Sequence, residues 1–124
     1  MKRGEVWTLA GGGDFVSKPR PVVILQDDRF AAVNSVTVCP LTTSPGEAPL
    51  FRLQIEPTSG NGLEAPSRIM ADKVTTVRRT RLRERIGTLD NDEMMALGRA
   101  VMTFLGFAGM GTAIETEPGP DSPE

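Results

Sequence analysis

Arg20 sits between Pro19 and Pro21 in the stretch SKPRPVVILQDD, residues 17–28. Each proline fixes its own φ near about −65° and biases the residue before it toward extended geometry, so Lys18 and Arg20 are both held out of helix. A guanidinium at so stiff a position serves either as a structural ion-pair partner or as a phosphate clamp, because its fork of donors matches phosphate oxygens. The rest of the inventory narrows the chemistry. With no histidine and a single Cys39, the chain cannot build a Ser-His-Asp triad, a Cys-His nucleophile or a His/Cys zinc site, and no metal or cofactor is expected. The GGG at 11–13 lacks the lysine and the spacing of a phosphate-binding P-loop and reads as a hairpin loop. Arginine, lysine, carboxylates and hydroxyls remain. That set suits a phosphodiester whose nucleophile is already in the substrate, as the 2′-OH of RNA is. The protein then needs a group to shift a proton and donors that stabilise charge on pentacovalent phosphorus.

The elements that must position these groups are short strands and one helix. Glu5–Leu9, Pro21–Gln26, Val36–Leu41, Leu50–Ile55 and Arg68–Val74 are β-branched or alternating runs set off by Gly, Pro, Asn or Asp. Such spacing predicts a small antiparallel sheet or barrel. Leu53 and Ile55 alternate with Arg52, Gln54 and Glu56, the pattern of a strand with one wet face. Pro66 falls at the start of the next strand, where a missing donor does little harm. Asp90 and Glu93 form a capping-box pattern ahead of Met94, Leu97, Val101, Phe104 and Leu105, which recur at helical spacing and predict a C-terminal helix packed on the sheet. Met94 and Met95 read as core or dimer packing.

Length and charge bound the rest. The 124 residues, 39% hydrophobic, suffice for one domain with a real core. Cys39, in the apolar stretch VTVCPL, has no disulfide partner and is expected to be a buried thiol. Neither a signal peptide nor a run of about 20 apolar residues is evident, so a cytoplasmic protein away from membranes is expected. The formal charge of −2 conceals a division: residues 1–112 carry 14 basic and 12 acidic side chains, and the tail GTAIETEPGPDSPE is acidic and proline-rich. The expectation is a domain over 1–110 and a disordered tail over 111–124. Within 73–85, KVTTVRRTRLRER, six basic residues face one glutamate. This is a solvated face or a field that attracts a polyanion.

Five segments together carry a resemblance: KRGEVW at 2–7, KPRPVVILQDD at 18–28, VCPLTTS at 38–44, Asp72 followed by KVTTV, and IGTLDNDEM at 86–94. In this order and spacing, over about residues 1–107, the chain resembles the MazF/PemK toxins. The resemblance implies a small SH3-like antiparallel β-barrel with a C-terminal helix packed on it, as in the CcdB/PemK-like fold. It further implies a homodimer and metal-independent cleavage of single-stranded RNA at short sequences, leaving a 2′,3′-cyclic phosphate and a 5′-hydroxyl. Carried over by position, it makes Arg20 the catalytic arginine and places the Thr42 hydroxyl beside the scissile phosphate. Asp72 matches an acidic position that some members use in catalysis or RNA contact, the alternative being a strand-end charge paired with Lys73 or Arg68. Lys18, Thr43, Arg68, Lys73, Arg78 and Arg79 are the expected RNA contacts. The implied partner is an antitoxin, MazE-like, with a disordered acidic C-terminal segment.

The chain departs from that pattern in two places. Many members carry Gly-Ser-Glu-Gln before the arginine, whereas GGGDFVSK puts Phe15 at the glutamate position with Asp14 beside it. Where some relatives have a second arginine, this chain has Met70, with Arg68 two residues earlier; alternation along one continuous strand would point Arg68, Met70 and Asp72 the same way. The rival reading is a CcdB-like toxin that poisons DNA gyrase by binding protein. Such toxins use an apolar C-terminal end with a tryptophan, whereas this chain ends GPDSPE and its only tryptophan is Trp7. Sequence choice is expected in the loops at 11–18, 44–49 and 57–66.

Overall fold

A computed structural model describes residues 1–11, 19–44 and 51–108. Among these residues seven strands precede one α-helix: β1 (Glu5–Leu9), β2 (Arg20–Ile24), β3 (Ser35–Thr42), β4 (Arg52–Ile55), β5 (Ser67–Met70), β6 (Thr75–Arg78), β7 (Leu82–Thr88) and α1 (Asn91–Leu105). All the pairings are antiparallel, in the order β4-β5-β3-β2-β1-β7, with β6 also on β3. The mainly antiparallel sheet with a C-terminal helix agrees with the expected class. Among the described residues β4 and β7 do not pair, so the sheet is open and not a closed barrel.

β3 is the spine. One edge pairs with β2, while the other meets β5 at Leu41 and Thr42 and β6 from Ser35 to Val38. The chain therefore runs along that second edge from the Thr42 end of β3 to its Ser35 end, broken in the middle by a 3-10 turn over Ala71–Lys73. The expected strand through Val74 is corrected here: it stops at Met70, and strand alternation does not extend to Asp72. β2 also differs from expectation, ending at Ile24. Gln26 leaves the ladder and stitches the following turn, its Oε1 accepting from the Thr37 N–H (3.0 Å) and its Nε2 donating to the Phe30 carbonyl (3.2 Å).

Both faces of the sheet are covered at one end. Val6, Val23, Cys39, Leu41, Ile55 and Ile69 form a core with Leu89, Met94 and Leu97 under α1. On the other face Val22, Ile24, Val36, Val38, Val77 and Leu82 form a second cluster, against which Met1, Trp7 and Leu9 pack. Hydrophobic burial of this extent is what fixes strand register, since a one-residue slip would exchange the two faces. α1 starts as its sequence dictates: the Asp90 carboxylate accepts from the Glu93 N–H (2.7 Å), and Glu93 accepts in return from the Asp90 N–H (2.8 Å). It ends at Gly106, whose φ of +85° favours glycine.

The β4–β5 connection is anchored by a fully buried amide. Asn61 Oδ1 accepts from the Thr58 and Leu63 N–H groups (both 3.0 Å), and its Nδ2 donates to the Glu56 carbonyl (2.9 Å). Gly62, at φ +71°, lies so close to β7 that a Cβ would sit 1.9 Å from the Ile86 carbonyl oxygen. This fixed loop delivers Pro66 and Ser67 to a defined place.

Candidate active site

On the face away from α1, the apolar cluster gives way to polar side chains at the Thr42 end of β3. The alternation requires it: Val23, Leu41, Ile69 and Ile55 point toward α1, so Arg20, Thr42, Arg68 and Gln54 point to the other side. They also share one lateral row. Thr42 pairs with Arg68 across β3 and β5, and Arg68 with Gln54 across β5 and β4. The β2–β3 register, Ile24 with Val38, Val23 with Cys39 and Val22 with Pro40, continues two residues further to set Arg20 opposite Thr42.

Arg20 and Thr42 line one cavity of about 220 Å³ with Thr43, Ser44 and Ser67. A second, of about 170 Å³, shares Thr42, Thr43, Ser44 and Ser67 and adds Gln54, Pro66 and Arg68. The two form a continuous cleft. Arg20 is exposed and has no hydrogen-bond or ion-pair partner among the described residues. Its guanidinium is therefore open to an anion entering the cleft. Thr42 Oγ1 accepts from the Ser44 N–H (3.1 Å). That bond uses a lone pair and orients the oxygen, leaving the hydroxyl hydrogen to donate into the cleft. The described lining supplies a cation and several hydroxyls, the donor set that stabilises an anionic phosphorane.

The family follows from comparison. The model of the PemK-like, MazF-like toxins of type II toxin–antitoxin systems matches residues 2–105. The chain is also 52% identical over 109 residues to the probable endoribonuclease MazF of Mycolicibacterium smegmatis, an alignment covering 88% of this chain and all of that protein. The chain belongs to the MazF/PemK toxin family. Two solved structures of similar shape are Mycobacterium tuberculosis toxin MazF-mt6 and an endoribonuclease in complex with its cognate antitoxin from a mycobacterial species. The first has a TM-score of 0.69 at 25% identity, covering 82% of this chain and 96% of that one. The second has a TM-score of 0.70 at 21% identity, covering 97% and 99%, and speaks to the fold alone.

Asp72, Lys73, Arg78 and Arg79 do not line this cleft. Asp72 is gripped by Arg52, whose Nε and Nη2 donate to its two carboxylate oxygens at 2.6 and 2.8 Å, with the Lys73 charge adding a smaller attraction. Hydrogen bonding from Arg52 outweighs partial burial and holds the Asp72 carboxyl below the usual aspartate range. The pair ties β4 to the 3-10 turn beside α1, where Phe51 also packs on Phe104 with ring centroids 5.3 Å apart. Lys73 is exposed in the same turn.

Arg78 pairs with Ser35 at the far end of β3. Seven residues of strand, roughly 23 Å, separate that end from Thr42. A larger hollow of about 560 Å³ lies there, lined by Asn34, Ser35, Arg78, Arg79 and Thr80. Its lining also brings hydroxyls, Ser35 and Thr80, beside two arginines, so what sets it apart from the Thr42 cleft is the use made of Arg79. Its Arg79 already donates to the backbone carbonyls of Val33 and Ala31. Lys18, Asp14 and Phe15 lie outside the described residues, as do most of the loops at 11–18 and 44–49 and the acidic tail. Sequence reasoning missed Arg52 as the partner of Asp72 and Gln54 as a cleft residue; the wet-face alternation at 52–56 was the available signal for the latter.

Buried groups behave as their surroundings dictate. Burial, reinforced by the nearby Asp72 charge, pushes the Cys39 thiol up to about 12. Glu5 is buried too, which alone would raise its pKa. The Lys2 N–H, the Trp7 indole and the Arg85 guanidinium outweigh that and bring it below the usual range.

Proposed function

We propose that this chain is the toxin of a type II toxin–antitoxin pair and a metal-independent endoribonuclease that cuts single-stranded RNA at short sequences. The observation that carries the reading is the meeting of an exposed Arg20, without a partner among the described residues, with the Thr42 hydroxyl in one cleft. Arg20 clamps the non-bridging oxygens of the scissile phosphate, and Thr42 donates to one of them. The substrate's 2′-oxygen attacks phosphorus and loses its proton. The bond to the 5′-oxygen breaks and that oxygen gains a proton, leaving a 2′,3′-cyclic phosphate and a 5′-hydroxyl. Thr43 and Arg68 hold the adjoining backbone. Asp72, paired with Arg52, serves the fold and not the reaction.

The toxin works in the cytoplasm as a homodimer. Met95, Met102 and Leu105 are about half exposed along α1, an apolar stripe of the kind a second copy covers. An antitoxin with an acidic, initially disordered segment occupies the cleft by pairing with Arg20, so that it and RNA exclude one another. The test is incubation of the purified protein with a mixed single-stranded RNA in EDTA, followed by end-group analysis. Cleavage with 5′-hydroxyl ends supports the reading. Intact RNA, or ends bearing a 5′-phosphate, overturns it, since the latter requires water as nucleophile.

A further inference from the structure

Gln54 completes the lateral row that begins at Arg20 and passes through Thr42 and Arg68. It lines the cleft, and its side chain is exposed. Two strand spacings, about 10 Å, separate it from Thr42. A nucleotide whose phosphate lies at Arg20 and Thr42 can therefore lay its own base, or its neighbour's, along Gln54.

The amide is not free to turn as it pleases. Its Nε2 donates to Glu56 Oε2 at 2.9 Å, which uses one N–H and sets the plane of the group. One N–H donor and the Oε1 acceptor remain for a base edge, which is read by a donor and an acceptor together. Beside them the Glu56 carboxylate has a further oxygen that only accepts. An exocyclic amine, on adenine N6 or cytosine N4, meets both acceptors favourably, while the keto oxygen of uracil O4 or guanine O6 faces a carboxylate and is repelled. Single-stranded RNA presents such edges because its bases are not paired.

We propose that Gln54, oriented by Glu56, is a specificity-determining residue that reads one base next to the scissile phosphate and favours adenine or cytosine there. This rests on the ribonuclease reading above. It also moves part of the sequence choice from the loops onto strand β4.

The test is cleavage of an RNA library randomised around the cut, with 5′-hydroxyl ends sequenced, using the full chain, Gln54→Ala and Glu56→Gln. For the unaltered protein, amino bases should exceed keto bases at one position by about tenfold. Gln54→Ala should bring that position near parity and leave preferences elsewhere in place. Glu56→Gln should admit keto bases at the same position, because its amide can present an N–H to the keto oxygen. An unchanged profile in Gln54→Ala, or a keto preference in the unaltered protein at every position, overturns the inference while the ribonuclease reading stands. If the unaltered protein cuts nothing, the ribonuclease reading falls and this inference with it.

Discussion

Arginines from neighbouring elements stand at both ends of β3, and the use made of them differs. At the Thr42 end Arg20 faces a cleft with no partner among the described residues, its backbone stiffened by Pro19 and Pro21. At the Ser35 end Arg79 is consumed by the fold: it donates to the carbonyls of Val33 and Ala31 and approaches Met1 Sδ at 3.0 Å. Arg81 likewise donates to the Ala10 carbonyl (2.8 Å), and Arg85 to Glu5 (3.3 Å). A run of basic residues thus divides into charges that hold loops in place and charges that face solvent. Sequence density of charge does not distinguish them. Arg20 differs in its stiffened backbone, in having no partner among the described residues, and in the Thr42, Thr43 and Ser44 hydroxyls beside it.

The sharpest break in this comparison is Arg20→Ala. Losing a preorganised charge donor costs about 3 kcal/mol, so cleavage should fall on the order of a hundredfold while the melting temperature stays put. Unimpaired cutting would remove Arg20 from the mechanism. Thr42→Val should cost about tenfold in rate, with Thr42→Ser restoring most of it, since serine keeps the hydroxyl that accepts from Ser44 and donates to phosphate. A serine variant as slow as the valine one would mean that the threonine methyl, not the hydroxyl, is needed.

The structural arginines should respond in stability instead. Arg79→Ala should lower unfolding free energy by about 1–2 kcal/mol, read by urea titration, whereas Arg78→Ala should leave it unchanged and only lower the salt dependence of RNA binding by about one unit. Asp72→Asn should cost about 1–2 kcal/mol near neutral pH. Because the folded pKa of Asp72 lies below its unfolded value near 3.8, the pair's contribution is complete above that value and disappears as pH falls through the folded pKa. The gap between the two proteins should therefore close below about pH 4; a gap that persists in acid would show that shape, not charge, is at stake. The smallest effect is at Cys39, which is fully buried and held protonated. It should resist thiol reagents at pH 8 until the protein unfolds.

Much of this was legible in the residues. The capping box at Asp90 and Glu93 marks the start of α1, and Cys39 in VTVCPL marks a buried thiol, because both signals are local. Arg20 stood out through its flanking prolines, although its role came from family resemblance. β6 and β7 were hidden: in KVTTVRRTRLRER the charges overwhelm the few buried anchors, Val77 and Leu82, that make these segments strands. The Arg52–Asp72 pair joins residues 20 apart in sequence. Only the β4–β5 register brings them together, and no local pattern encodes it. The separation of Arg78 from Arg68 has the same origin, since the 3-10 turn at Ala71–Lys73 carries the chain from one end of β3 to the other.

The claim that chemistry belongs to the Thr42 end is tested most directly by single-turnover cleavage at saturating RNA, comparing Arg20→Ala with Arg78→Ala. Saturation removes differences in binding and leaves the chemical step. The rate should be about a hundredfold lower for Arg20→Ala and within about threefold of the unaltered protein for Arg78→Ala. Equal losses in the two variants, or a larger loss in Arg78→Ala, would contradict it and move the reaction to the hollow at the Ser35 end.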